Sequence, residues 1–323
     1  MRIKLSALKE LLTNKFTSTY YSKSQAEKIS EVLLYAEMSG KNTQGIVKLI
    51  GTEPMQKIKP KHEPKFVKET KLTALINGGG NAAPLVCQMA TDIVIDKCRE
   101  NGMAIVGTNN TFASSGAIGF YADRMAKEDL IGIVFAGSPG GVAPFGGIDP
   151  LFGTNPIAFG FPTESDPLIF DFATSAITWY GLVRAKALGQ KLPEGVAVDS
   201  KGNLTSDPDK AMEGAILPFD KNYKGYGLSL MVEILTGPLV GGTFADLNGD
   251  WSNLFIAIDP DQLIGRKEFK VNCSKLIGIV KKSRKQKGFR EILIPGEKGL
   301  RMRKGIENSG EIEIDDKLVE MLQ

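Results

Sequence analysis

The chain has 323 residues, of which 42% are hydrophobic and 24% charged. That balance belongs to a globular protein and excludes disordered, collagen-like and coiled-coil chains. A net charge of +3 at this length does not by itself imply a nucleic-acid partner.

The start, MRIKLSALKELLTNK, spreads lysine through its apolar positions. A signal peptide would show an unbroken apolar stretch there, so a cytoplasmic protein is expected. No apolar run approaches ~18 residues, so no membrane span is expected either. Ser24 and Glu27 have the spacing of a capping box. Ile29, Val32, Leu33 and Ala36 then follow the spacing of one buried helical face, and Gly40 is a plausible stop. The stretch from Pro54 to Lys71 is rich in Lys, Pro and Glu and reads as a surface connection.

From Leu72 onward, short apolar runs alternate with Gly, Asn and Pro. Strands are expected at Leu72–Ile76, Met103–Val106, Ile131–Phe135, Ile157–Phe161, Leu168–Phe172 and Phe255–Ile258. Helices are expected near Leu85–Glu100, Gly116–Glu128 and Gly225–Leu239. This mixture predicts an α/β or α+β domain, and its irregular order argues against a fully parallel sheet. Between Ile264 and Gly305 there are fourteen Lys or Arg and three Asp or Glu. The densest part, Lys281 to Lys287, reads as a solvated helix face. No aromatic residues interleave with it as a nucleic-acid platform would require.

Cys87, Cys98 and Cys273 are too few and too scattered for a disulfide framework or a zinc site, and His62 is the only histidine. No metal is expected. Neither G-x-G-x-x-G nor a Walker A pattern occurs, so motif does not support a Rossmann domain. Three other stretches could hold an anion. The first is glycine-rich, from Gly137-Ser138 to Gly153-Thr154-Asn155-Pro156. The second is Asp171-Phe172-Ala173-Thr174-Ser175, where a strand meets a helix start. The third is Tyr223-Lys224-Gly225-Tyr226-Gly227, ahead of an apolar helix. Spacing alone does not separate the first from a set of turns, the second reads equally well as a capped helix without a ligand, and a lone Lys at a helix start, as in the third, is more often just solvated.

Together these stretches resemble one family, the malate/L-lactate dehydrogenase (type-2 lactate dehydrogenase-like) oxidoreductases, which include ureidoglycolate and sulfolactate dehydrogenases and cyclic-imine reductases. Leu192-Pro193-Glu194-Gly195 and Met231-Val232-Glu233-Ile234-Leu235 also carry the resemblance, in the same order, over most of the chain. It implies a non-Rossmann cofactor domain with a largely antiparallel sheet over 71–279. It also implies a helical, dimer-supporting domain built from 1–70 with 280–323. NAD or NADP would be the cofactor, a small carboxylate the substrate, and a homodimer the assembly. Ser138, Leu168, Ile169, Phe170, Asp171, Phe172, Ala173, Thr174, Tyr223, Lys224, Gly296 and Glu297 are the implied cofactor contacts.

The family's acid/base segment reads Asp-Ser-His-Gly, with an arginine three residues after the glycine. Here it is Asn42-Thr43-Gln44-Gly45, followed by Lys48. Gln44 therefore occupies the histidine's place, and an amide exchanges no proton near neutral pH. Ser114 aligns with a second histidine that many members have. The expected catalytic set is Gln44, Lys48, Ser114 and Tyr121. Lys48 is suited to a carboxylate or, with a lowered pKa, to proton delivery. His62 matches no family motif. The expected function is an NAD(P)-dependent oxidoreductase of a 2-keto/2-hydroxy acid or cyclic imino acid. A catalytically silent binding homologue is the alternative.

Overall fold

The computed structural model describes residues 1–50, 54–220, 222–246 and 248–320. The last three residues of the expected 280–323 segment lie outside them. The chain opens with a short strand, β1 (Arg2–Lys4), and two helices, α1 (Leu5–Thr17) and α2 (Lys23–Met38). The capping box at α2 is formed by Ser22 and Gln25, two residues before the expected pair. Ser22 Oγ accepts the Gln25 N–H, and Gln25 Oε1 accepts the Ser22 N–H. Ser24 thus falls inside the first turn, where its hydroxyl cannot cap. The expected apolar face of α2 is fully buried, and Gly40 (φ +70°) follows the helix end.

The stretch read as a surface connection contains a strand, β2 (Lys65–Glu69). All five of its residues are exposed. A strand with no buried face shows no hydrophobic alternation, and its lysines suit the sheet edge it occupies. Next come β3 (Thr73–Asn77), α3 (Ala83–Asn101), β4 (Met103–Thr111), α4 (Gly119–Lys127), β5 (Ile131–Gly137), β6 (Ile157–Phe161) and β7 (Leu168–Phe172). The chain continues through α5 (Trp179–Leu188), β8 (Ala197–Val198), α6 (Pro208–Glu213), β9 (Ala215–Ile216), α7 (Tyr223–Thr236) and β10 (Trp251–Ile258). It closes with α8 (Arg266–Lys281), α9 (Glu297–Ser309), β11 (Glu311–Glu313) and α10 (Asp316–Glu320).

Seven strands form one sheet in the order β2-β3-β4-β10-β5-β6-β7. Only β3 and β4 pair in parallel, joined by the α3 crossover that parallel pairing requires. All other pairs are antiparallel. The fold is therefore mixed α/β with a mostly antiparallel sheet. Late in sequence, β10 inserts between β4 and β5, which places Phe255 opposite both Val106 and Val134. Helices α3 and α4 cover this part of the sheet, and Val86, Val94, Tyr121 and Met125 pack into one core with those strand residues.

A second core joins the two ends of the chain. Leu8, Leu12, Ile29 and Leu33 pack with Ile312, Ile314, Leu318 and Val319, and β1 pairs with β11. Helix α8 ends at Lys281, so most of the basic cluster (Lys282, Arg284, Lys285, Lys287) lies in exposed irregular chain rather than on a helix face. Among the described residues no helix is long and apolar enough to cross a membrane.

Candidate active site

Beyond Gly40 the chain turns through Lys41–Gly45 into a short 3₁₀ turn at Ile46–Leu49. Glu37, in the last turn of α2, fixes this turn by accepting the Ile46 N–H at 2.7 Å. A Cβ at Gly45 would stand 2.1 Å from Glu37 Oε1, so only glycine allows the approach. Burial pushes the Glu37 carboxyl up to about 7, against the Ile46 N–H and the Arg184 charge. Gln44 and Lys48, four residues apart, both reach the wall of a cavity of about 220 Å³.

Ser114, beyond the end of β4, lines the same cavity, and its hydroxyl donates to Gln44 Oε1 at 3.4 Å. Lys48 is 1% exposed. Its Nζ lies 3.4 Å from the centroid of the Tyr180 ring, a cation–π contact. Among the described residues no carboxylate pairs with it, and burial pushes its ammonium well below the usual lysine range. Trp179 and Tyr180 at the start of α5, and Trp251 at the start of β10, complete the wall. Trp179 and Trp251 are the only two tryptophans of the chain.

A larger cavity of about 910 Å³ lies between the edge strand β7 and helices α8 and α9. Leu168, Ile169 and Phe170 line it, with Ser274 and Ile277 opposite. Gly296 (φ +79°) and Glu297 close one end. A Cβ on Gly296 would sit 2.1 Å from the Ile169 carbonyl oxygen, so this glycine lets α9 meet β7. Glu297 accepts from Lys281 at 2.5 Å, Arg301 at 2.6 Å and the Ile294 N–H at 3.1 Å. These bonds, Lys281 first, hold its carboxyl down to about 2 against burial. Phe172, Ala173 and Ser138 line the smaller cavity, while Lys41 and Asp171 line both.

Other expected site residues stand elsewhere. Tyr121 is wholly buried between the Phe120 and Phe255 rings, and its hydroxyl donates to Ser115 O at 2.7 Å. It is core, and its burial pushes the phenol well above its usual range. Thr174 is also fully buried, with its hydroxyl given to the Thr154 and Asn155 carbonyls, so it ties loops together rather than facing a cavity. Tyr223 and Lys224 are exposed at the start of α7 and line neither cavity. The turn there is set by Asp220, whose carboxylate accepts the Gly225 N–H, and this leaves both side chains facing outward. His62 is exposed and lines neither cavity. Conversely, Lys41, Trp179, Tyr180 and Trp251 enter the site without having been expected there.

The pair of cavities suits a two-part ligand such as a dinucleotide. The smaller has an amide, a hydroxyl and an amine that no described carboxylate pairs, among aromatic walls. Ser39 Oγ and Arg303 Nε, of residues on the wall of the larger, are buried with no partner among the described residues, and buried polar atoms without partners carry a cost.

Comparison with known proteins identifies the family. Residues 3–323 match the sequence model of the malate/L-lactate dehydrogenase family. The L-sulfolactate dehydrogenase of Methanothermobacter thermautotrophicus is 33% identical, over 100% of this chain and 95% of the relative. The solved sulfolactate dehydrogenase of Methanocaldococcus jannaschii superposes with a TM-score of 0.84 at 32% identity, covering 100% of this chain and 95% of that one. A delta1-piperideine-2-carboxylate reductase from Pseudomonas syringae gives 0.83 at 28%, covering 100% and 99%. The chain belongs to the malate/L-lactate dehydrogenase family.

Proposed function

We infer that the protein is an NAD- or NADP-dependent oxidoreductase of a small carboxylate, either a 2-keto/2-hydroxy acid or a cyclic imino acid. The observation that carries this reading is Lys48, a buried amine without a carboxylate partner among the described residues, facing the same small cavity as Gln44 and Ser114. An incoming carboxylate would supply a counter-charge that no described residue gives Lys48. The Gln44 amide and Ser114 hydroxyl would hydrogen-bond the carbonyl, alcohol or imine group beside it. Ser138, Phe172 and Ala173 would hold the nicotinamide half of the dinucleotide, and Leu168 to Asp171 with Gly296 and Glu297 the adenosine half. When bound, the nicotinamide supplies or accepts the hydride.

The proton is the difficulty for a keto acid. General acid catalysis typically contributes ~10²–10⁴-fold; neither Gln44 nor Ser114 is an acid, and in this reading Lys48 is engaged by the substrate carboxylate. A protonated cyclic imine already carries its proton, so its reduction needs only positioning and charge stabilisation. A solved delta1-piperideine-2-carboxylate reductase, by its name a reductase of such a cyclic imino acid, matches 100% of this chain. Assembly as a homodimer belongs to the same reading. The outward apolar residues Met231 and Ile234 of α7, with Leu239 and Phe244 beyond it, give a second copy a surface to cover.

Oxidation of NADH and NADPH with pyruvate, oxaloacetate and Δ1-piperideine-2-carboxylate, from acid to alkaline pH, tests this function. Turnover of any of them is expected, with the cyclic imine fastest. Dinucleotide binding with no turnover of any would instead leave the silent homologue.

A further inference from the structure

The wall shared by the two cavities is an ion pair. Lys41, between the end of α2 and Gln44, donates from Nζ to Asp171 Oδ2 at 2.5 Å and to the Asp171 carbonyl oxygen at 3.1 Å. Asp171 is pinned in turn, because its Oδ2 also accepts the N–H of Gly119, at the start of α4, at 3.0 Å. The Asp171 side chain is 8% exposed and that of Lys41 35%. An ammonium has three N–H donors. Two are spent on Asp171, and one remains. Among the described residues, Lys41 is the only cation that lines both cavities. On the larger wall, Lys281 and Arg303 are already engaged by Glu297 and Asp123, and Lys298 lines only the larger cavity and not the wall that the two share.

We propose that Lys41 binds the diphosphate of the dinucleotide. This rests on the functional reading above, which places one nucleoside of the dinucleotide in each cavity. The diphosphate joins the two nucleosides, so it must cross where the cavities meet. Asp171 is then a positioning residue. It holds the ammonium in place, so less side-chain freedom is lost when the ligand arrives. It also neutralises the charge while the site is empty.

Calorimetric titration with NADH and with ADP-ribose, which keeps the diphosphate but lacks the nicotinamide, tests the assignment in wild type and three variants. Lys41→Gln is expected to weaken both ligands about 10–100-fold, the range of one charge-assisted hydrogen bond. Lys41→Arg is expected to regain most of that loss. Asp171→Asn keeps an acceptor for Gly119 and leaves the Lys41 charge in place, so it is expected to weaken ADP-ribose far less than Lys41→Gln does. Equal losses in Lys41→Gln and Asp171→Asn would mean that the ion pair matters only to the fold of the loop, which overturns the assignment. Unchanged ADP-ribose affinity in Lys41→Gln overturns it too. Wild-type protein that binds neither ligand overturns the functional reading itself, and this inference with it.

Discussion

Replacing Lys48 with methionine is expected to stabilise the fold and remove its affinity for a carboxylate. The side chain is 1% exposed, and no described carboxylate compensates its charge. Leaving a buried polar group uncompensated costs about 1–3 kcal/mol, and methionine of similar length removes that cost while filling the space. The sign of the pH dependence follows from the direction of the shift. The folded-state pKa lies below the unfolded value of about 10.4. Between the two, the unfolded chain holds the extra proton, so wild-type stability rises with pH across that window. The variant lacks this rise. Its advantage should therefore be greatest at pH values below the folded pKa and shrink toward alkaline pH, as urea unfolding at several pH values would show. Affinity for oxalate, a small dicarboxylate probe, should fall about 10–100-fold, the worth of one charged hydrogen bond. A destabilised variant that still binds oxalate would mean that Lys48 holds structure rather than ligand.

Replacing Gln44 with histidine is expected to raise 2-hydroxy-acid oxidation by ~10²–10⁴-fold, the usual contribution of a positioned acid or base. Gln44 is half-buried, faces the small cavity and lies within reach of the Ser114 hydroxyl. An imidazole there keeps the hydrogen-bonding reach and adds a proton that can move. The rate should then follow the titration of one imidazole, lowered when Lys48 is charged across the cavity. Malate and lactate oxidation by wild type and Gln44→His, followed across pH, checks this. No gain would show that the rest of the cavity no longer presents a hydroxyl group to position 44.

The parts of the fold that were legible in the sequence are those that bury one face. Residues 131–135 and 157–161 announce strands because burial imposes a pattern on them, and α2 shows its apolar stripe for the same reason. Strand β2 escaped notice because neither of its faces is buried. The site divides in a similar way. Gln44 and Lys48 were found because one short segment carries both. Trp251 was missed because it reaches the cavity only through the insertion of β10 between β4 and β5, a pairing that no local pattern encodes. Lys41 needed its partner Asp171, 130 positions away. Tyr121 shows the opposite error. Its phenol suits proton chemistry, but the same helix that carries it turns the ring into the core.

Crystals grown with NADH and oxalate give the most direct measurement. An oxalate carboxylate on Lys48 Nζ is expected, with the nicotinamide ring in the small cavity beside Gln44. A nicotinamide that stays in the larger cavity, with no oxalate at Lys48, would contradict the proposed chemistry at its root.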